Sequence, residues 1–206
     1  MYKPFKSNVV AKRRMCSLYA CRMNSVFFFD VETTGTDRVK DRIVQIAWIL
    51  SDTKGQSLIE RCYILKPDNF EIPYGSSKIH RITTSIANTH GVARLPVFEE
   101  CVKTAVQSTA LVAHNVDFDI AFLRSECNKL GLSKSYDEIP QNCTMKASTE
   151  FCGLSYLNGR SGLKWPRLEE LHYKLFGTYF SGAHDALIDV QITKKCYFEL
   201  RNRGIL

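Results

Sequence analysis

The stretch "VFFFDVETTG", Val26 to Gly35, sets an aspartate and a glutamate into the most hydrophobic run of the chain. Val26, Phe27, Phe28, Phe29 and Val31 are apolar and β-prone, and the turn residues Thr33-Thr34-Gly35 follow. That pattern predicts a short buried strand over Ser25–Val31. Unpaired charge is expensive to bury, so Asp30 and Glu32 need a reason to be there. Residues i and i+2 of a strand point to one face, so both carboxylates project together from the strand's end. Carboxylates so placed repel one another unless a cation sits between them, and hard oxygen ligands suit Mg²⁺ or Mn²⁺. Taken alone, the pair reads equally well as two solvated charges at a strand end.

Outward from this strand, "DRIVQIAWIL" (Asp41–Leu50) alternates as a strand covered on both faces would, and Ser57–Leu65 makes a third, with Gly55 at the turn between them. The three predict an antiparallel meander. Lys66–Ser77, rich in Pro, Gly, Asn and Ser, reads as a loop. Helical spacing then takes over, with Val97, Cys101, Val102, Ala105 and Val106 on one stripe and Pro96 at the helix start. Leu111–His114 reads as a strand, Asp117–Leu130 as a helix stopped at Gly131, and Ile139–Met145 as a last strand. Phe151–Gly162 reads as a mobile loop, Pro166–Phe176 as a helix ended by Gly177, and Asp185–Arg203 as a long terminal helix. This order predicts an α/β domain over residues 25–206 built on one mixed sheet.

The 206 residues, 45% hydrophobic and 24% charged, have the composition of a soluble globular protein. No apolar run approaches the ~18 to 20 residues that span a bilayer. The net charge of +7 is uneven: before Asp30 there is no acid, while Lys3, Lys6, Lys12, Arg13, Arg14 and Arg22 supply +6 and leave +1 for the rest. The basic arm over residues 1–24 fits a phosphate-binding tail, an Arg-rich targeting segment, or sequence upstream of a start at Met15 or Met23. A disordered, dispensable arm is the favoured expectation. Eight cysteines without a C-x-x-C pair argue against structural zinc, and reduced thiols in a cytoplasmic protein are expected.

Two further segments carry acids. "LVAHNVDFDIAFL" (Leu111–Leu123) runs from strand into helix with Asp117 and Asp119 in the first turn, where carboxylates are also good helix starters. "GAHDALIDV" (Gly182–Val190) spaces His184 and Asp189 five apart. On a regular helix that is ~140°, which puts His184 at or before the helix start and Asp189 in its second turn.

Together, "FFFDVETTG", "AHNVDFDIAFL" and "AHDALID" resemble the three motifs of the DEDDh, or DnaQ-like, 3′–5′ exonuclease family, in its order and roughly its spacing. The resemblance covers about Ser25 to Arg203. It implies a ribonuclease H-like fold, in which two parallel strands join the meander in a five-stranded sheet. It also implies Asp30, Glu32, Asp119 and Asp189 as acidic ligands of two divalent ions, Mg²⁺ or Mn²⁺, and His184 as general base, a task suited to an imidazole that titrates near neutrality. Asp119 rather than Asp117 fits the family's spacing from Asn115 and Phe118.

Two ions roughly 3.5–4 Å apart stabilise both ends of an in-line phosphodiester displacement, which accounts for four carboxylates. Substrate contacts are expected from Thr33, Thr34 and Gly35, and from "KIHRITTS" (Lys78–Ser85). That segment resembles the family's Ile-His-Gly-Ile-Thr loop by the 3′-terminal base, with Arg81 in place of the glycine. Ile79 or His80 is expected to wedge against the last base and Arg81 to meet a phosphate. Phe118 is read as stacking or as ordinary core. His114 and Asn115 are expected to orient the ligands, with Asn115 also among the substrate-binding candidates. His90 and His172 read as structural, and Trp165 as a loop anchor rather than a base-stacking platform.

The expected activity is 3′–5′ removal of nucleotides from single-stranded DNA ends, in proofreading, repair or end trimming. RNA trimming is the alternative within the class, and a non-catalytic nucleic-acid-binding module the alternative outside it. "KWPRLEELHYKLFG" (Lys164–Gly177) resembles small stand-alone members, and the chain ends soon after the last helix at "RNRGIL" with no visible polymerase domain. A DNA polymerase or a repair protein is a candidate partner. A monomer or homodimer, without membrane association, is expected.

Overall fold

The computed structural model describes residues 24–206. Apart from Asn24, the basic arm lies outside the described residues, as do Cys16 and Cys21. The six other cysteines are free. Among the described residues no helix is long and apolar enough to cross a membrane.

Among the described residues five strands form one mixed sheet: β1 Ser25–Thr33, β2 Ile43–Asp52, β3 Ser57–Ile64, β4 Ala110–Ala113 and β5 Gln141–Cys143. Their order is β3-β2-β1-β4-β5. β1, β2 and β3 pair antiparallel, while β1, β4 and β5 pair parallel. The expected meander and the two parallel additions are both present. β2 is buried along nearly its whole length, as its two-sided hydrophobic pattern required.

The alternation of β1 divides the core into two layers. Phe27, Phe29 and Val31 pack with Trp48 against helix α3 (Arg94–Ala105) and helix α4 (Val116–Lys129). Val26 and Phe28 pack with Ala47 and Ile49 against the last helix, α8 (Ala186–Asn202). Phe27, Phe28 and Phe29 are all fully buried, each stabilising the fold by about 1.5–3 kcal/mol relative to exposure. Asp30 and Glu32 follow Phe28 by two and four residues, so they face α8.

Several stretches differ from expectation. The loop expected over Lys66–Ser77 gives way to helix α1 (Tyr74–His80), and helix α2 (Thr84–His90) follows it. Both are seven residues long, and the sequence marked neither. α2 is started by the Thr83 side chain, which accepts the Ile86 N–H. The strand expected over Ile139–Met145 shrinks to three residues and turns into the short helices α5 (Thr144–Ala147) and α6 (Thr149–Cys152). Helix α7 spans Leu168–Phe176.

One buried ionic cluster was not anticipated. Glu126 of α4 accepts from Arg94 Nη2 at 2.9 Å and from Arg42 Nε at 2.8 Å, and Arg94 Nη2 also donates to the Ile43 carbonyl at 2.6 Å. The Glu126 and Arg94 side chains are each only 1% exposed. The cluster ties the start of β2 to the helix that carries Asp119.

Candidate active site

Asp30 and Glu32 stand at the C-terminal part of β1, on the face that meets α8. Asp189 lies in the first turn of α8, slightly earlier in the helix than its spacing from His184 suggested. His184 precedes the helix in a left-handed conformation, φ 66°, and its backbone N–H donates to Asp189 Oδ2 at 2.9 Å. Asp185 caps the helix, its Oδ1 accepting the Leu187 N–H at 3.0 Å.

Asp119 arrives from the opposite layer. β4 pairs with β1 only as far as Phe28, and the first turn of α4 occupies the space beyond. There Asp119, 3% exposed, accepts the Val31 N–H at 3.2 Å. Asn115 opens this helix in a left-handed turn, φ 81°. Asp117 is instead exposed on the surface, ion-paired with Lys146.

Electrostatics binds the four carboxylates into one unit. Burial holds the Asp30 carboxyl well above the usual range, and the charges of Asp119, Asp189 and Glu32 raise it further. Burial likewise raises Asp119. Glu32 is pushed up to about 8 by burial and by Asp189 and Asp185, and Asp189 to about 6, chiefly by burial. Among the described residues, none of the four is ion-paired with a lysine or arginine.

One ligand atom each from Glu32, His184 and Asp189 lies within 4.8 Å of the others, and buried Asp189 Oδ1 has no hydrogen-bond partner. A set of hard oxygen donors that repel one another fits a divalent cation of the Mg²⁺ or Mn²⁺ type. The cluster is a candidate metal site.

The site opens into a cleft of about 420 Å³ lined by Asp30, Asn115, Trp165, Phe180, His184 and Asp189, among others. A second cavity of about 270 Å³ also touches His184, lined by Gln45, His80, Arg81 and Asp185 among others. Arg81 takes the left-handed conformation, φ 65°, at the end of α1. The chain therefore makes the turn that a glycine makes freely, with a side chain in place. Ile79 is 53% exposed, whereas His80 is buried and its Nδ1 accepts the Ile82 N–H at 3.1 Å. Thr33 and Thr34 are buried, and the Thr34 N–H is committed to the Arg42 carbonyl at 2.9 Å. The Gly35 backbone runs close to the Asp41 carboxylate, which leaves no room for a Cβ. Phe118 is half-buried and packs on Phe122.

One expectation about a neighbouring residue needs correction. His114 touches no ligand carboxylate: its Nδ1 lies 2.9 Å from Thr144 Oγ1 and its Nε2 3.0 Å from the Pro166 carbonyl. Trp165, expected as a loop anchor, is 57% exposed in the cleft. His172 is structural, as expected, its Nδ1 lying 2.8 Å from the Thr178 carbonyl.

Gln45 was missed. Paired in register with Glu32, it is buried, and its Oε1 accepts the Ala186 N–H at 3.2 Å, fixing the start of α8. A lone amide in the apolar run "IVQIAWIL" was the available signal.

The sequence profile of an exonuclease family, the RNase T type, matches residues 27–197. DNA polymerase III subunit epsilon of Treponema pallidum is 38% identical over 111 residues, 51% of this chain and 48% of that protein. The PolC-type DNA polymerase III of Caldanaerobacter subterraneus is 34% identical over 109 residues, covering 51% of this chain and 7% of that protein. The chain thus matches less than half the length of either relative. Among solved structures, E. coli exonuclease I in complex with a dA16 oligonucleotide superposes with TM-score 0.72 at 23% identity, over 88% of this chain and 41% of that one. Exonuclease I from Methylocaldum szegediense gives 0.72 at 22%, over 87% and 40%. At these identities the structural likeness concerns the fold.

Proposed function

The chain belongs to the exonuclease family of the RNase T type, and from that premise we propose that it removes nucleotides from the 3′ ends of single-stranded DNA by metal-dependent phosphodiester hydrolysis. The observation that supports the proposal is the grouping of Glu32 and Asp189 with His184 beside the cleft that Asp30 lines, with Asp119 near enough to repel Asp30 and no lysine or arginine ion-paired to the four acids among the described residues.

In this reading Asp30, Glu32, Asp119 and Asp189 hold two divalent ions, Mg²⁺ or Mn²⁺. When bound, such ions stabilise negative charge on the attacking and leaving oxygens of an in-line displacement. His184, exposed at the cleft rim, takes the proton from the attacking water. Its backbone N–H to Asp189 and the left-handed turn before α8 fix where that imidazole is presented. Gln45 holds the helix start, and the Arg42–Glu126–Arg94 cluster steadies the helix that bears Asp119. Exposed Ile79, and Arg81 in the cavity that also touches His184, are the residues this reading sets toward the terminal nucleotide, whereas the buried Thr33-Thr34 turn supports the strand end.

The epsilon and PolC relatives are named as DNA polymerase III components, which supports a polymerase or repair complex as partner. The free thiols support a cytoplasmic location.

The test is a 5′-labelled single-stranded DNA with Mn²⁺. Stepwise shortening from the 3′ end that EDTA abolishes is the expected result. Intact strand under both conditions refutes it and favours a non-catalytic binding module. Faster shortening of a matched RNA at the same salt concentration moves the substrate to RNA.

A further inference from the structure

Trp165 is held in a position that ordinary packing does not explain. The residues on either side of it are fastened. The Lys164 N–H donates to the Leu154 carbonyl at 2.7 Å, and its Nζ reaches both carboxylate oxygens of Glu170 at 2.6 and 2.8 Å. The Pro166 carbonyl lies 3.0 Å from His114 Nε2, and the Arg167 N–H donates to Glu170 Oε2 at 2.7 Å. A carbonyl only accepts, so His114 Nε2 carries the proton and Nδ1 accepts from the Thr144 hydroxyl. Burial pushes the His114 imidazole down to about 4, so the ring keeps this neutral form near neutrality. The backbone on both sides of the indole is therefore rigid, while the indole itself is 57% exposed. It shares the cleft with Asp30, His184 and Asp189.

The cleft is chemically two-sided. Its carboxylate end suits cations and the phosphate they attract. Trp165, Pro166, Phe180 and Met145 supply apolar surface elsewhere in its lining. A phosphodiester alone needs only the first kind of surface, whereas a nucleotide presents a flat π-face besides. About 420 Å³ is within the size range of small-molecule sites. We propose that the Trp165 indole is the stacking platform for a base of the strand being trimmed, next to the scissile phosphate. The substrate is then a strand whose base at that position is unpaired and unstacked, of any base identity, because every base has a π-face. A base held in a duplex stack is not free to lie on the indole. The proposal rests on the exonuclease reading for the phosphate's position.

The chain has two tryptophans, and the other, Trp48, is fully buried in the core. Quenching of exposed indole emission thus reports on Trp165 alone. A short oligothymidylate is titrated into the full chain in EDTA, where the strand stays intact, and mixed rapidly with the Mn²⁺-loaded protein. Saturable quenching is expected in the native chain and none in Trp165→Phe, whose remaining emission comes from Trp48.

In turnover, Trp165→Ala raises KM for the oligonucleotide roughly ten- to a hundred-fold, with a much smaller fall in kcat, and Trp165→Phe recovers most of the loss. An abasic residue at one position near the 3′ end raises KM for the native enzyme similarly and leaves Trp165→Ala indifferent. Cleavage without quenching, or an unchanged KM in Trp165→Ala, overturns the platform while the exonuclease reading stands. Saturable quenching without any cleavage overturns the exonuclease reading and retains the platform. Neither binding nor cleavage of the strand overturns both.

Discussion

Replacing Glu32 by Gln stabilises the metal-free protein while destroying the site. In the folded chain Glu32 titrates at about 8 instead of 4.5, because burial disfavours its charge and Asp189 and Asp185 repel it. A folded value above the unfolded one means that stability from this group is full below pH 4.5 and is lost as pH rises through about 8. That gap corresponds to roughly 4–5 kcal/mol. Glu32 keeps part of its surface in water, which screens the repulsion, so about 2 kcal/mol is the working expectation. For a domain of this size that is roughly 4–8 °C in Tm. The assay is thermal unfolding of the native chain and Glu32→Gln at about pH 8 and about pH 5, each in EDTA and in Mn²⁺. In EDTA the variant melts higher near pH 8, and its advantage shrinks by more than half near pH 5. Mn²⁺ raises the native Tm by linkage and raises the variant's much less. A variant that melts at or below the native chain in EDTA near pH 8 would refute the idea that these charges are held against their preference.

Three other outcomes follow from the geometry. His184→Ala, at an exposed residue, leaves Tm unchanged in EDTA but lowers turnover at saturating Mn²⁺ by roughly a hundred-fold or more; near-native hydrolysis excludes it as the base. Glu126→Gln leaves the buried Arg94 with only the more distant, exposed Asp68 as counter-charge and costs roughly 3–5 kcal/mol in urea unfolding, so a loss below ~1 kcal/mol would make the cluster incidental. Arg81→Gly relieves the left-handed strain and raises stability by roughly 0.5–1 kcal/mol, yet raises KM for the oligonucleotide if the guanidinium meets a phosphate; an unchanged KM removes Arg81 from the substrate path.

What could be read from the sequence followed the length and clarity of each pattern. β1, β2 and the long terminal helix were plain, because apolar residues repeat there over many positions with turn residues at the ends. α1 and α2 were not. Seven residues give barely two turns, so no apolar stripe develops, and Thr83 is a start signal with nothing periodic behind it. The metal-ligand candidates were legible because the chemistry restricts them to carboxylates at a few spacings. Gln45, His114 and the Arg42–Glu126–Arg94 cluster act through partners 141, 52 and 84 residues away, and a single sequence carries no sign of such pairings. The exposure of Trp165 was hidden for a related reason. A Trp-Pro pair suggests an anchored loop, but the anchoring falls to Lys164, Pro166 and Arg167, which frees the indole.

The register of β1 explains why the charged pair sits behind three phenylalanines. Phe27 and Phe29 fill the layer beneath α3 and α4, and Phe28 fills the layer beneath α8. A slip of one residue would exchange the layers and turn Asp30 into the one that holds Trp48 and Ile120. Three consecutive large side chains, each fully buried, penalise that slip on both faces at once. The direction of Asp30 and Glu32 toward Asp189 is therefore set by hydrophobic packing upstream of them. Asp119 reaches the same point from the other layer because β4 stops pairing at Phe28 and leaves the Val31 N–H for a carboxylate to accept. Had β4 run two residues further, its backbone would have occupied that place and the fourth acid would have been excluded. The short strand and the long hydrophobic run are thus two parts of one arrangement, which brings mutually repelling charges from both faces of the sheet to a single strand end.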